Sequence, residues 1–188
     1  MVSVGSIDVI MVNSRGETNP DWVARARRSI RTQTQPINEI IEIDNLKKDK
    51  TLGRCWNIGI KQSDSDWIFF IDDDDWISDD YIHTHVAVLY RERQQDKDPV
   101  AASAYCTFFD SEGRYSRKDV FPKGLIKRSY LLKYPFDESR LNERIADWKW
   151  TEEAQKRNDY AILIPWQFGY FYRQHDKKMS KKVRISDG

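Results

Sequence analysis

The stretch Trp67–Tyr81, WIFFIDDDDWISDDY, decides how the rest of the chain is read. Its first five residues, Trp67 to Ile71, are apolar, aromatic or β-branched, the composition of a strand buried on both faces. Four aspartates, Asp72 to Asp75, stand directly behind them. Carboxylates ~4 Å apart repel by roughly 4 kcal/mol at an effective dielectric of about 20, so the run needs compensation. Capping of the following helix suits Asp79 or Asp80, because anions favour a helix N-terminus, but it does not account for four in a row. Hard carboxylate oxygens at a strand end suit Mg2+ or Mn2+, which take few protein ligands and fill their shell with water and substrate phosphate. The expected partner of the run is therefore a metal-bound diphosphate.

Upstream, the chain alternates between two periodicities. IDVIMV (Ile7–Val12) reads as a buried strand, and the polar NSRGETNP that follows reads as a loop. Pro20 marks a first helical position, and Trp22, Val23, Ala26 and Ile30 then fall near one helical face. EIIEID (Glu39–Asp44) is a second strand, and Leu52, Cys55, Trp56 and Ile60 give helical spacing to TLGRCWNIGIKQS. The order strand, helix, strand, helix, strand predicts right-handed crossovers and a parallel sheet covered by helices. Ligands of such sheets bind beyond the carboxyl ends of the strands. Those ends carry Asn13-Ser14-Arg15, Asp44-Asn45 and Asp72 to Asp75, so three polar clusters are expected on one edge.

Downstream, the pattern predicts a helix from Ser78 or Asp79, then a hairpin over VAASAYCTFFDSEGRYS with its turn at Ser111-Glu112-Gly113. A short helix over GLIKRSYLLKY, a longer one over LNERIADWKWTEEAQKR, and strands at YAILIP and FGYFYR follow. Alternation weakens after residue 100, which predicts a mixed, mostly parallel sheet. The expected fold class is α/β in one domain of 188 residues. Two halves, residues 1–100 and 101–175, are expected within it, followed by a basic tail at 176–188.

At 39% hydrophobic and 32% charged residues the chain is globular, not disordered. A formal net charge of +1 gives no general attraction to nucleic acid or to a membrane surface. No stretch reaches the ~20 apolar residues of a membrane span, and MVSVGSIDVIMV lacks a basic leader and carries Asp8, so no signal peptide is expected. Cys55 and Cys106 form no CxxC pair, which suits a reducing setting. The expected location is cytoplasmic.

Taken together the motifs resemble glycosyltransferase family 2, with its GT-A fold, over almost the whole chain. The resemblance rests on Ser29-Ile30-Arg31-Thr32-Gln33-Thr34, on Asp44-Asn45 at a strand end, on Asn57-Ile58-Gly59-Ile60, and on Phe70 to Asp75. Phe136-Asp137-Glu138, the segment RIADWKW, and Tyr172-Arg173-Gln174-His175 with Ser180 complete it in family order. The resemblance implies a metal-dependent, inverting transfer of a sugar from a nucleotide diphosphate donor, UDP by family frequency, to an acceptor hydroxyl. It implies Mn2+ or Mg2+ as cofactor, with Asp74 as metal ligand and His175 near the metal or diphosphate. Val12, Ser14, Arg15 and Asp44 would border the nucleotide, Arg54 and Asn57 the nucleotide or sugar, and Asp72 the ribose. Asp73 or Asp75 would serve the donor sugar, and Asp147 would be the general base.

Two departures stand out. Ala146 occupies the position where relatives carry a glutamate before the base, which leaves Asp137, Glu138 and Glu143 as substitute bases. Met11-Val12-Asn13-Ser14 replaces the Pro-x-Tyr-Asn of many relatives. The acceptor class stays open among a saccharide, a glycolipid precursor and a modified DNA base. Two other readings remain beside the transferase: a non-catalytic module that binds nucleotide sugar or carbohydrate, and a nucleotidyltransferase, which NSRGETNP serves poorly with one glycine and one arginine.

Overall fold

A computed structural model describes residues 3–16, 18–109, 115–139, 146–164 and 169–173. Strand β1 (Ile7–Asn13) is central and pairs in parallel with β2 (Glu39–Asp44) on one side and β3 (Trp67–Asp72) on the other. Helices α1 (Pro20–Arg31) and α2 (Leu52–Gln62) make the two crossovers, so the alternation in sequence becomes a parallel sheet as expected. Pro20 stands in the first turn of α1, and the Thr51 hydroxyl caps α2 by accepting from the Arg54 N–H.

Both faces of β1 and β3 are apolar because helices cover both. Ile7, Val9, Met11, Trp67, Phe69 and Ile71 point into one core, which α1 closes with Val23, Ala26 and Ile30. Ile10, Val12, Ile68 and Phe70 point into the other, which α2 closes with Cys55, Trp56 and Ile60. Each such side chain contributes about 1.5–3 kcal/mol of burial on either face, so burial alone does not choose the register. Asp8 does. It is buried, and its two oxygens accept from Asn38 Nδ2 at 2.9 Å and Ser63 Oγ at 2.6 Å. A one-residue slip would turn this carboxylate to the other face, away from both donors, at a cost of about 1–3 kcal/mol or more.

After a short strand β4 (Trp76–Ile77), helix α3 (Tyr81–Arg93) adds Tyr81, Ile82, Val86 and Leu89 to the first core. Neither Asp79 nor Asp80 caps it: the Asp79 carboxylate accepts from the Thr32 hydroxyl and that of Asp80 from Ser78 Oγ. Strands β5 (Ala101–Phe109) and β6 (Tyr115–Lys127) form the expected antiparallel hairpin, whose turn lies outside the described residues. The helix expected over Gly124–Tyr134 is shorter than its pattern. Gly124 to Lys127 extend β6, with Leu125, Ile126 and Lys127 pairing Phe69, Ile68 and Trp67, and only Arg128–Lys133 is helical (α4). Gly124 permits this, since a Cβ there would stand 1.9 Å from the Ala102 carbonyl oxygen.

Helix α5 (Ala146–Lys156) and strands β7 (Ala161–Ile164) and β8 (Tyr170–Arg173) complete the fold. The sheet order is β2-β1-β3-β6-β5-β8-β4, mixed in direction. The outer edge of β5 is shared: residues 101–104 pair with β7 and residues 106–109 with β8, with an irregularity between Ala104 and Cys106. Cys55 and Cys106 are buried free thiols in opposite cores. No helix among the described residues is long and apolar enough to cross a membrane.

Candidate active site

The three parallel strands end side by side. Val12 lies opposite both Ile43 and Asp72, and Asn13 lies opposite Asp44, so the three polar clusters do meet on one edge. Val12 itself is a core residue, and only its backbone stands near the edge. Asp44 is exposed, with one oxygen accepting from the Leu46 N–H at 2.9 Å. Arg54 is exposed in the first turn of α2.

The four aspartates divide into different environments. Asp73, 1% exposed, accepts at Oδ2 from the backbone N–H groups of Ser14 and Arg15, each at 2.6 Å, and at Oδ1 from Arg15 Nη1 at 2.7 Å. It fastens the loop after β1, so the sugar-contacting place expected for it is occupied by the chain's own donors. Burial raises its pKa, and Arg15 and the Ser14 N–H pull the other way. Asp75 is equally buried and accepts from the Tyr170 hydroxyl at 2.7 Å and the Arg173 N–H at 3.0 Å. Burial, then the charges of Asp74 and Asp72, push its pKa well up.

Asp74 and Asp72 face cations. Arg15 Nη2 stands 3.3 Å from Asp74 Oδ2, and Lys123 Nζ stands 3.6 Å from Asp72 Oδ2. Burial disfavours the Arg15 charge, but Asp74 and Asp73 together outweigh it and raise the guanidinium pKa. Arg173 Nε donates to the Asp74 carbonyl at 3.3 Å and stacks over Trp22. Trp76, which follows the aspartate run, has the Arg25 guanidinium 3.5 Å from its ring centroid and stacks with the Phe171 ring.

Asn57, expected on the donor, is buried and holds the segment before α5: it donates to the Phe136 carbonyl and Glu138 Oε1, both at 2.9 Å, and accepts from the Phe136 N–H. Two of the substitute bases are thereby engaged. Glu138 accepts from Asn57, and Asp137 pairs with Lys149 at 3.3 Å. Ala146 is buried in the second core, and Asp147, in the first turn of α5, lines a cavity of about 440 Å³ with Lys123, Phe70, Phe136, Tyr130 and Trp150. Glu143, His175 and the tail from residue 176 lie outside the described residues.

Lys123 is the residue that the sequence concealed. It is 6% exposed, although a lysine is almost never buried unless paired. Burial opposes its charge, and Asp72, Asp147 and Asp75 together overcome that and raise its pKa. Nothing in KDVFPKGLIKR distinguishes it from Lys118 or Lys127. His85, read from the sequence as structural or exposed, is structural: it is buried and its Nδ1–H donates to the Tyr81 carbonyl at 2.8 Å.

Among the described residues no three His, Cys, Asp or Glu side chains gather as a metal cage. The carboxylate oxygens of Asp74 and Asp72 are of the hard kind that suits Mg2+ or Mn2+, cations that take few protein ligands and complete their shell with water and phosphate.

Comparisons with known proteins bear on the fold and the family. The chain is 26% identical over 115 residues to glycosyltransferase GlyA of Streptococcus pneumoniae, an overlap of 61% of this chain and 14% of that protein. The crystal structure of S. aureus TarS superposes with a TM-score of 0.68 at 14% identity, covering 90% of this chain and 37% of that one. TarS residues 1–349 in complex with UDP-GlcNAc superposes at 0.69 and 13% identity, covering 96% of this chain and 62% of that one. The fold is therefore GT-A, and the chain spans only part of the length of these relatives. The model of "Glycosyl transferase family 2" matches residues 41–139, more than half of the chain, from β2 through the aspartate run to the segment that Asn57 holds, and the chain belongs to that family.

Proposed function

We propose that this chain transfers a sugar from a nucleotide diphosphate donor, with UDP as the nucleotide, to an acceptor hydroxyl with inversion at the anomeric carbon. One observation carries the reading. Lys123, whose buried ammonium stands 3.6 Å from Asp72 at the end of β3, lines the same cavity as Asp147 at the start of α5. In this reading Asp72 belongs to the donor side and Asp147 to the acceptor side. The UDP-GlcNAc held by the related TarS structure supports a uridine donor.

In the proposed reaction the acceptor oxygen attacks C1 from the face opposite the diphosphate. Its proton passes to an Asp147 carboxylate oxygen as the C1–O bond breaks, and the bonding electron pair leaves on the diphosphate. Asp74, with Asp72, would hold Mg2+ or Mn2+, which supplies neutralisation of the leaving group's charge when bound. Asp44 would border the nucleotide together with Ser14 and Arg15, whose loop Asp73 keeps in place. Asp75 would keep β4 and β8 together beneath the site.

A thermal-shift series with UDP, GDP, CDP and TDP, and with UDP-sugars, each with and without Mn2+, tests this. A ligand at a hundredfold its Kd adds roughly 2.7 kcal/mol, a rise of about 5–10 °C for a chain of this size. UDP with Mn2+ is expected to give that rise, and Asp74→Ala to remove the metal-dependent part. A flat response to every nucleotide would sink the reading. Binding of UDP-sugar without UDP release in any acceptor mixture would favour the non-catalytic module, which Ala146 in place of the family's glutamate also suits.

A further inference from the structure

Lys123 lies on β6, in the half of the sheet that follows the aspartate run, and the proposed reaction assigns it no step. Its backbone is fixed: its carbonyl accepts from the Tyr81 hydroxyl at 2.7 Å, and the neighbouring Gly124 packs against the Ala102 carbonyl. Its ammonium lies near two aromatic rings, with Nζ 5.5 Å from the Tyr170 centroid and 6.0 Å from that of Trp56. A long, flexible side chain so enclosed has few rotamers left. Its ammonium reaches Asp72 at 3.6 Å and lines the same cavity as Asp147. A buried cation is tolerated only where anions compensate it, and removing one partner of such a group leaves an uncompensated charge.

We propose that Lys123 is a positioning residue, a buried cation shared by Asp72 and Asp147 that sets the place of the acceptor-side carboxylate relative to the donor edge. This rests on the assignment of Asp147 as base. Asp147 lies in the first turn of α5 and is partly exposed. The charge of Lys123, anchored on the sheet, gives that turn a fixed electrostatic reference. Misplacing a reacting group by about 1 Å can cost on the order of a hundredfold in rate. Loss of Lys123 should thus appear in kcat more than in nucleotide binding.

The experiment is a double-mutant cycle on the full chain with Lys123→Met, which keeps the stem and removes the charge, and Asp147→Asn. Three quantities are read: UDP affinity by calorimetry with Mn2+, UDP release from UDP-sugar, and the urea midpoint. Lys123→Met is expected to lower kcat at least tenfold while UDP affinity changes less than threefold. The double variant is expected to be no slower than Asp147→Asn alone, because Lys123 acts through Asp147. In urea, the shift caused by Lys123→Met is expected to differ between the wild-type and Asp147→Asn backgrounds. Additive urea midpoints would overturn the proposal whatever the activity, and so would a kcat within threefold of wild type. Should Lys123→Met not fold, Lys123→Gln also removes the charge and is expected to show the same coupling to Asp147→Asn; additive urea midpoints there overturn the proposal equally. A wild-type protein that neither binds nor cleaves UDP-sugar would count against the transferase reading alone, because the urea cycle still decides whether the charge is shared.

Discussion

Asp72, Asp73, Asp74 and Asp75 follow one another without a break, yet each meets a different partner. Lys123 faces the first, two backbone N–H groups and Arg15 hold the second, Arg15 approaches the third, and Tyr170 with Arg173 holds the fourth. That an acidic run of this kind marks a site is legible from charge repulsion alone. The division of roles within it is not, because the partners come from the loop after β1, from β6 and from β8, far away in sequence. The same holds for His85. Its place on α3 is plain from the helical spacing, but its burial depends on the hairpin packed over it. There burial lowers its pKa from 6.5 to about 4, against the Tyr81 carbonyl that favours its protonated form. The folded chain thus holds His85 neutral while the unfolded chain protonates it near pH 6.5. Its contribution to stability is complete above that pH and is lost as the pH falls towards 4, by about 3 kcal/mol in all and about 2 kcal/mol by pH 5. Urea unfolding at pH 7.5 and pH 5 measures it. His85→Gln should reduce the difference between the two by about that amount, and an unchanged difference would show that other groups set the slope.

Helix α2 shows how one element serves both the core and the site. Its spacing of Cys55, Trp56 and Ile60 predicts the buried face. Its other function needed the structure: Thr51 Oγ1 donates to the Glu138 carbonyl, Asn57 holds Phe136 and Glu138, and Gly53 lets the chain at Asp137 lie directly on the helix. The family resemblance assigned Asn57 to the donor, whereas the structure gives its amide to the segment that leads towards the proposed base. A Cβ on Gly53 would stand 2.1 Å from the Asp137 carbonyl oxygen, a contact with backbone that no side-chain rotation relieves. Alanine gains up to about 1 kcal/mol of helix propensity there, and overpacking costs about 1–3 kcal/mol. The clash should win. Gly53→Ala is expected to lower Tm by a few degrees, about 2–4 °C per kcal/mol for this length. A Tm at or above that of wild type would mean that the 136–138 segment moves aside at little cost, and that α2 does not position it.

At the scale of the whole molecule, the parallel half of the sheet was legible because each crossover is local in sequence, strand to helix to the next strand. The second half was legible only as elements. Which strands take the edge of β5, and how far β6 runs before α4, depend on pairings between distant segments. Those pairings also bear on whether the proposed donor and acceptor halves are separable. Trp67 and Phe69, fully buried on β3, pair with Lys127 and Leu125 on β6, so a boundary near residue 100 would strip a central strand of its neighbour. The first core is also common property: Val9 and Phe69 share it with Ala102, Leu125, Ile164 and Tyr170. A chain built this way should unfold as one unit. Far-UV circular dichroism, which follows all elements, and tryptophan fluorescence, which follows Trp56 and Trp67 on one side and Trp150 on the other, should give coincident urea transitions with one midpoint. Two separated transitions would show that the halves hold together independently of β3–β6 pairing, and the site between Asp72 and Asp147 would then be a junction of two units and not an edge of one sheet.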